Sequence, residues 1–170
     1  MALNVGTKVI YPCRGPCLMG PIVKKVVEGR PTNFYHLVVL DDDGGELFVP
    51  VDKVHAMGIR QLLAKSEIPK LLGQLRRAAK IVQPRTARNW KQRALDNLKL
   101  FTSGSAFDLV KVIESLNDLR GTRALTPSEK STLERARKLL IGEISEVMGE
   151  SKNVIAEQLD EALKTRHDQE

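Results

Sequence analysis

The chain has 170 residues, of which 42% are hydrophobic, so it is suited to one ordinary domain or two small ones and is not a disordered polymer. Aromatic residues make up only 4% of the chain, too few for a surface that binds single-stranded nucleic acid by repeated stacking. The net charge of +6 is concentrated in residues 61–126, where basic residues exceed acidic ones by eight; this indicates either a polyanionic partner (DNA, RNA or anionic lipid) or a solvated charged face.

The N-terminal stretch MALNVGTKVIYP has no apolar run of the length that a secretory signal requires. No window further along the chain approaches the roughly 18 uninterrupted apolar residues typical of a membrane-spanning helix. We therefore expect a soluble, cytoplasmic protein that does not associate with membranes.

The first third of the chain predicts β-strands. Four stretches are rich in Val, Ile, Leu, Phe and Tyr and are bounded by Gly, Pro or Asp: residues 8–12, 17–29, 33–41 and 46–51. The segments GRPTN (29–33) and DDDGG (41–45) predict the turns of two hairpins. DDDGGE lacks the ligand spacing of a calcium loop and is interpreted as a turn. Short antiparallel strands at this density predict a small SH3-like or Tudor-like β-barrel over residues 1–55, with one strand edge open for docking.

Cys13 and Cys17 form a CxxxC pair in this region. A structural disulfide is not expected in a cytosolic chain, and a zinc site would need two further ligands. The candidates nearest in sequence, His36 and His55, do not form a ligand pair. We expect two partly buried thiols and no bound metal.

After Val54 the apolar pattern changes to a helical period. HAMGIRQLLA (55–64) predicts one short apolar turn, and Ser66 is the predicted cap of a helix that runs over residues 66–82. Pro69 is compatible with that helix because it falls in the first turn, and Pro84 ends the element.

Later helices carry strong start and stop signals. Ser105 and Asp108 predict a capping box, and Thr126 and Glu129 predict another, with Pro127 at the first helical position. Gly149 is a stop signal, and a last helix is predicted from Ser151 to about Lys164. The predicted fold class is therefore α+β, with a small SH3/Tudor-like antiparallel β-barrel (residues 1–55) followed by an all-helical C-terminal domain (residues 56–170).

The only tryptophan, Trp90, lies in the most basic run of the chain. Helical spacing places it on one apolar stripe with Ala94, Leu98 and Phe101, which by itself predicts a core residue. Its indole N–H, however, needs a polar partner or water. From spacing alone, an inward and an outward ring both remain open.

A catalytic site requires a nucleophile with a base, a paired acid and base, or a metal cluster. The sequence contains none of these, and the histidines His36, His55 and His167 have no motif context. No glycine-rich phosphate loop is present either. We predict a binding protein without enzymatic activity or cofactor, and a monomer, because no stretch resembles a coiled-coil seam.

Four segments together resemble the CarD/CdnL family of bacterial transcription regulators that bind RNA polymerase. In the N-terminal part they are VGTKVIYPCRG and FVPVDKVHAMGIR; in the helical part they are NWKQRALDNLKLFTSG and LTPSEKSTLERARKLLIGEI. The resemblance covers nearly the whole chain, with the segments in the same order and at the same separations.

The resemblance implies that the N-terminal domain docks on the RNA polymerase β subunit and that the helical domain contacts promoter DNA. Trp90 matches a family tryptophan that wedges into the minor groove at the upstream edge of the transcription bubble, which favours an outward ring. On this basis we assign phosphate contacts, largely independent of sequence, to Arg88, Lys91 and Arg93, with Arg85 as a weaker candidate. A cytoplasmic, nucleoid-associated location follows from the same resemblance.

Arg76 and Arg77 are weaker candidates for DNA contact. They lie in the second half of the preceding predicted helix, and cations near a helix C-terminus also complement the helix dipole. That structural role is at least as good an explanation of the pair.

The candidate polymerase-binding residues are Lys24 and Lys25 in the second strand and Phe48 in the fourth. Lys25 stands where relatives often have a basic residue, and the strand is expected to form an edge. Phe48 stands where some relatives have an arginine, so any contact made by that charge must be replaced here. Alternation along the strand leaves open whether Phe48 faces the core.

Two other functions compete with this interpretation. A protein-interaction adaptor would use the β domain for a partner and leave the basic helices as a solvated scaffold. A sequence-specific repressor would need a recognition helix, and no helix offers Asn, Gln and Arg on one face in a helix-turn-helix arrangement.

Overall fold

The computed structural model describes residues 3–77 and 87–167. Two compact units are present, Met1–Leu62 and Leu63–Glu170. Within the described residues, the first unit contains a five-stranded antiparallel sheet and the second contains five α-helices. This arrangement confirms the predicted α+β class, a small β domain followed by a helical one.

The sheet has the strand order β4-β3-β2-β1-β5, and every pair of neighbours is antiparallel. The strands are β1 (Lys8–Tyr11), β2 (Gly15–Val27), β3 (Arg30–Val39), β4 (Glu46–Pro50) and β5 (Arg60–Gln61). The β2–β3 hairpin is much longer than the other pairings, so its far end extends beyond the strands that flank it.

The turn of this hairpin is tighter than GRPTN predicted. Val27 pairs directly with Arg30, which leaves Glu28 and Gly29 as a two-residue loop, both with positive φ (50° and 76°). Positive φ at both central residues is the geometry that matches the right-handed twist of a hairpin. The prediction of a turn over 29–33 was therefore wrong, because most of that segment belongs to β3.

The segment predicted as a short apolar helical turn instead contains strand β5. Arg60 and Gln61 pair with Ile10 and Val9 of β1, and Val54 and Ile59 are buried in the sheet core. These contacts explain why the first compact unit continues to Leu62, past the boundary at residue 55 that the change of period suggested.

One face of the sheet carries the core of the first unit. Its fully buried residues are Val9, Cys17, Met19, Leu37, Val39, Val49, Val54 and Ile59. Cys17 is thus a core residue, while Cys13 is half-buried. Burial raises the pKa of the Cys17 thiol to about 11, which keeps it protonated and unreactive at neutral pH.

The helices are α1 (Ile68–Leu75), α2 (Ala87–Thr102), α3 (Ala106–Thr122), α4 (Pro127–Met148) and α5 (Lys152–His167). Helix α3 packs against α1, α2 and α4, and α5 packs against α1 and α4. The helical core therefore forms around α3, whose buried apolar residues are Ala106, Leu109, Val110, Val112, Ile113, Leu116 and Leu119.

The predicted N-caps of the later helices are present, but the predicted Ser105–Asp108 capping box is only half formed, because the Ser105 N–H donates to the Ser103 hydroxyl and not to Asp108. The Thr126 hydroxyl accepts from the Glu129 N–H at 3.2 Å, and the Glu129 carboxylate accepts from the Thr126 N–H at 2.9 Å. Arg123 also donates to this carboxylate, which lowers the pKa of Glu129 and keeps the box ionised. Ser105 and Ser151 accept from the third residue of their helices, and Gly149 ends α4 with a φ of 67°.

The start of α1 differs from the prediction. Ser66 lies inside a short 3₁₀ turn and does not cap the helix; its neighbour Glu67 accepts from the Ala64 N–H at 2.9 Å. Pro69 is in the first turn, as predicted. The helix ends at Leu75 and is therefore shorter than the predicted span of 66–82.

Replacing Thr126 with Ala should destabilise the helical unit by about 1 kcal/mol, because the capping hydroxyl is removed. Urea unfolding followed by far-ultraviolet circular dichroism would measure the change. Thr132→Ala is the matched control, since this hydroxyl bonds to the Ser128 carbonyl within α4 and alanine favours a helix. Equal losses of stability in the two variants would contradict the capping role.

Candidate functional site

Phe48 lies on the outer face of β4. Its neighbour Val49 is buried, with 1% of its surface exposed, whereas Phe48 is 39% exposed. Across the β3–β4 pair, the rings of Phe48 and His36 stack with centroids 5.0 Å apart and planes at 16°. The Lys25 ammonium lies 3.4 Å from the centroid of the Phe48 ring. We call Lys25, His36 and Phe48 the Phe48 stack.

The stack depends on an irregularity in β2. The register of β2 against β3 shifts between Met19 and Ile22, and Gly20 lies against His36 at this point. A Cβ on Gly20 would be 3.1 Å from both the ring Nδ1 and the carbonyl oxygen of His36. The missing side chain therefore leaves the room in which His36 packs against β2.

Lys25 of the stack is exposed, whereas Nε2 of His36 is buried. An ammonium over an aromatic face contributes about 0.5–1 kcal/mol at an exposed site, so the main effect is to hold Lys25 in place. Nε2 of His36 is 3.5 Å from Glu46, whose side chain is 65% exposed, so this pair is weak and requires a protonated imidazole. The arrangement offers a partner an aromatic surface with a positioned cation, which suits an acidic and partly apolar patch.

Lys24 does not join this group. It alternates with Lys25 along β2 and so lies on the opposite face of the hairpin, with Ile22 and Val26, which are 55% and 74% exposed. Of the three predicted polymerase-binding residues, the structure brings together Lys25 and Phe48 and separates Lys24 from them. The β2 edge beyond Met19 has no partner strand in the described part of the chain, which agrees with the expected edge position of Lys25.

Helix α2 carries the predicted DNA-binding residues. Lys91 is exposed and Arg93 is half-buried. The side chains of Arg88 and Trp90 lie outside the described residues, as does Arg85 entirely, so their roles stay predictions.

Of the three stripe residues of α2 whose side chains the structure describes, Phe101 alone is buried. Phe101 is 5% exposed, whereas Ala94 and Leu98 face solvent. Leu95 and Leu98 are 55% and 57% exposed, an apolar surface that sequence reasoning did not assign to the site. The spacing of four residues between Lys91 and Leu95 was the signal that could have identified it.

A cleft of about 240 Å³ separates α2 from α3 and α4. Arg93 and Arg135 both line it, and the Arg135 guanidinium lies 4.9 Å from the centroid of the Phe101 ring. Glu129, also in the lining, is already held by Arg123 at 2.8 Å. The cleft therefore has an excess of positive charge beside the basic end of α2.

The described residues offer neither a metal site nor a membrane-spanning helix. No group of three or more His, Cys, Asp or Glu side chains within residues 3–77 and 87–167 is arranged to hold a metal ion. None of the helices described there is long and apolar enough to cross a lipid bilayer. The candidate contact surfaces among the described residues are the Phe48 stack on the sheet unit and the basic, partly apolar α2 on the helical unit.

Comparison with known proteins matches both units to one family. Residues 3–63 match the model of the CarD-like/TRCF RID domain, and residues 74–160 match that of the CarD C-terminal domain. One curated relative, "Putative transcription factor YdeB" of Bacillus subtilis (strain 168), is 23% identical over 149 residues, which is 86% of this chain and 92% of the relative.

Replacing Phe48 with Leu should release the Lys25 side chain, because the aromatic face that attracts the ammonium is removed. In proton NMR spectra, the ε-methylene signals of Lys25 should lie upfield in the wild type and return to ordinary values in the variant. Lys24, on the opposite face, is the internal control and should not change. Unshifted Lys25 signals in the wild type would contradict the stack.

Proposed function

This chain belongs to the CarD family, a membership that supports a non-catalytic role in transcription with RNA polymerase, and on that premise we propose how its two units share the role. The sheet unit binds the polymerase β subunit, and the helical unit of the same monomer contacts promoter DNA at the upstream edge of the bubble, in the cytoplasm at the nucleoid. The observation that carries the proposal is that family matches cover both units, each with its own candidate contact surface.

Docking on the polymerase is supported by the Phe48 stack. In some relatives an arginine takes the position of Phe48, and here the Lys25 ammonium lies directly over that ring. A positive charge is therefore available close to where the relatives carry one, although it comes from a different strand. An acidic patch on the β subunit is the matching surface, with the ring contributing apolar contact.

Contact with DNA is supported by the charge and shape of α2. Lys91 and Arg93 are suited to phosphates, and the exposed Leu95 and Leu98 add apolar surface to the same helix. Proteins that bind a distorted minor groove combine such cations with apolar wedges. In this proposal Trp90 is the wedge, Arg88 joins the phosphate contacts, and Arg85 makes a weaker one.

The proposed effect on transcription is a shift in the equilibrium between closed and open promoter complexes. A ligand moves such an equilibrium only by its difference in affinity for the two states. The upstream bubble edge has a distorted groove that closed duplex lacks, so a ring that fits only there favours the open state. Each tenfold shift corresponds to about 1.4 kcal/mol.

Tethering makes a weak DNA contact sufficient. Once the sheet unit is docked, the helical unit meets DNA at a high effective concentration and needs little affinity of its own. Contacts of this kind are to phosphate and groove shape and do not require a recognition helix in the major groove.

Lys25→Glu should weaken binding to RNA polymerase at least tenfold, because it removes the positioned cation and introduces a like charge against an acidic patch. The measurement is affinity for the cognate core enzyme at fixed salt. Lys24→Glu makes the same charge change on the opposite face and should have a much smaller effect. A larger loss of affinity in Lys24→Glu than in Lys25→Glu would place the docking surface on the face that carries Lys24.

Trp90→Ala should leave polymerase binding intact and reduce the open fraction of promoter complexes severalfold, because the proposed wedge is removed. The open fraction can be followed with a fluorescent base in the bubble, using the cognate holoenzyme with no added protein, wild type or variant. Circular dichroism must show that the variant is folded; an unfolded variant would instead identify Trp90 as a core residue. If wild type also leaves the open fraction unchanged, the adaptor function replaces this proposal.

A further inference from the structure

Arg166 of α5 is a charged residue buried in the helical unit, with 2% of its surface exposed. Its Nε and Nη2 donate to the two oxygens of Asp118 at 2.7 and 2.6 Å. Its Nη1 donates to Glu114 at 3.3 Å and to the backbone carbonyl of Arg77 at 2.8 Å. One side chain therefore connects the last helix, the central helix α3 and the residue that follows the cap of α1.

The end of α1 is held at a second point by the same group. The amide of Gln74 donates to the other carboxylate oxygen of Glu114 at 3.4 Å. The backbone there also forms local hydrogen bonds: the N–H groups of Arg76 and Arg77 donate to the carbonyls of Leu72 and Gln74 at 3.1 and 3.2 Å. The backbone of the last turn is thus fixed from inside the unit.

The side chains of Arg76 and Arg77 make none of the hydrogen bonds recorded for this network. Both residues are exposed, and neither side chain has a carboxylate partner in the part of the chain that the structure describes. The last turn of α1 contains no basic residue; Arg76 is at its C-cap, and Arg77 lies one residue beyond, with its carbonyl bound by Arg166. A fixed backbone beneath two adjacent exposed guanidinium groups is suited to binding phosphate, since less conformational freedom of the backbone is given up on binding.

We infer that Arg76 and Arg77 form a second phosphate-binding pair for promoter DNA, separate from α2, and that Arg166 is its positioning residue. The inference rests on the proposed function, because it assumes that the helical unit contacts DNA. Arg166 itself touches no DNA; it determines where the Arg76–Arg77 backbone lies through the carbonyl of Arg77.

The pair is tested by the salt dependence of DNA binding. Full-length protein would be titrated onto a fluorescein-labelled promoter duplex containing a bubble, between 50 and 200 mM KCl, a range over which phosphate contacts change affinity by roughly three to five powers of ten for six to ten contacts. The slope of log affinity against log salt is negative. R76Q/R77Q should make it shallower by about 0.9 for each phosphate that the variant no longer neutralises. Lys130→Gln with Lys138→Gln, exposed on α4, removes the same charge and should leave the slope nearly unchanged.

The positioning role is tested by a double-mutant cycle. Arg166→Met should reduce affinity for the bubble duplex several-fold in the wild type and have no further effect in the R76Q/R77Q background. A purely structural role of Arg166 would lower affinity by the same factor in both backgrounds. That additive result, or an unchanged slope in R76Q/R77Q, would overturn the inference.

A second variant keeps the cycle usable if Arg166→Met fails to fold. Arg166→Lys retains the charge beside Asp118 but lacks the planar fork needed to reach Asp118 and the Arg77 carbonyl together. It should keep the helical circular dichroism signal and speed amide hydrogen exchange at the end of α1. Its effect on DNA affinity should also disappear in the R76Q/R77Q background.

A reference variant separates this inference from the proposed function. K91Q/R93Q removes the cations assigned to DNA on α2. If K91Q/R93Q makes the salt slope shallower and R76Q/R77Q does not, DNA contact stands and only the assignment of Arg76 and Arg77 to phosphate is wrong. If the wild-type slope is near zero and neither double variant changes it, DNA contact itself fails, and the proposed function with it.

Discussion

The burial of Asp118 on α3 is the constraint on which the helical unit depends. Nine of the 17 residues of α3 are buried, because three helices pack around it, and Asp118 is carried into the interior with them. A carboxylate there requires a cationic partner, and removing one member of a buried ion pair costs about 3–5 kcal/mol. An intact buried pair adds little net stability, but helix arrangements that separate Arg166 from Asp118 would leave a buried charge without its partner and are disfavoured.

A second buried carboxylate follows the same logic at the start of the unit. Glu143 of α4, 1% exposed, accepts from the backbone N–H of Leu63 at 3.0 Å, which fixes the first residue of the helical unit against α4. The buried charged groups Glu143 and Arg166 thus bind backbone groups, the Leu63 N–H and the Arg77 carbonyl, which an apolar residue could not satisfy. They fix these two backbone positions, while the leucines and isoleucines of the core supply most of the stabilisation by burial.

In the sheet unit, the Phe48 stack is positioned by strand register and not by buried charges. Its hairpin continues beyond the buried core, and a shifted register at Gly20 places His36 against β2 and in stacking contact with Phe48. Both faces of the extension are exposed, but only one carries the cation over a ring. In the proposed function, the Phe48 stack on the sheet unit binds the polymerase and the basic face of the helical unit contacts DNA, so that two modest contacts reinforce each other through a tether.

The sequence by itself determined the features that depend on neighbours within a few residues. Alternating and helical periods predicted a β domain before a helical one, and the Thr126–Glu129 box and the stop at Gly149 were predicted because a cap is formed by residues three positions apart. Local signals failed where packing chose between alternatives: Ser66 is a good cap residue that does not cap, and Arg60–Gln61 became a strand because β1 offered an unpaired edge. Alternation along β4 also could not give the direction of Phe48, or tell Lys25 from Lys24, until the register with β3 was known. Only the tertiary structure decided that Arg166 meets Asp118, 48 residues away in sequence, because such pairings depend on how whole helices pack and leave no periodic signal in the chain.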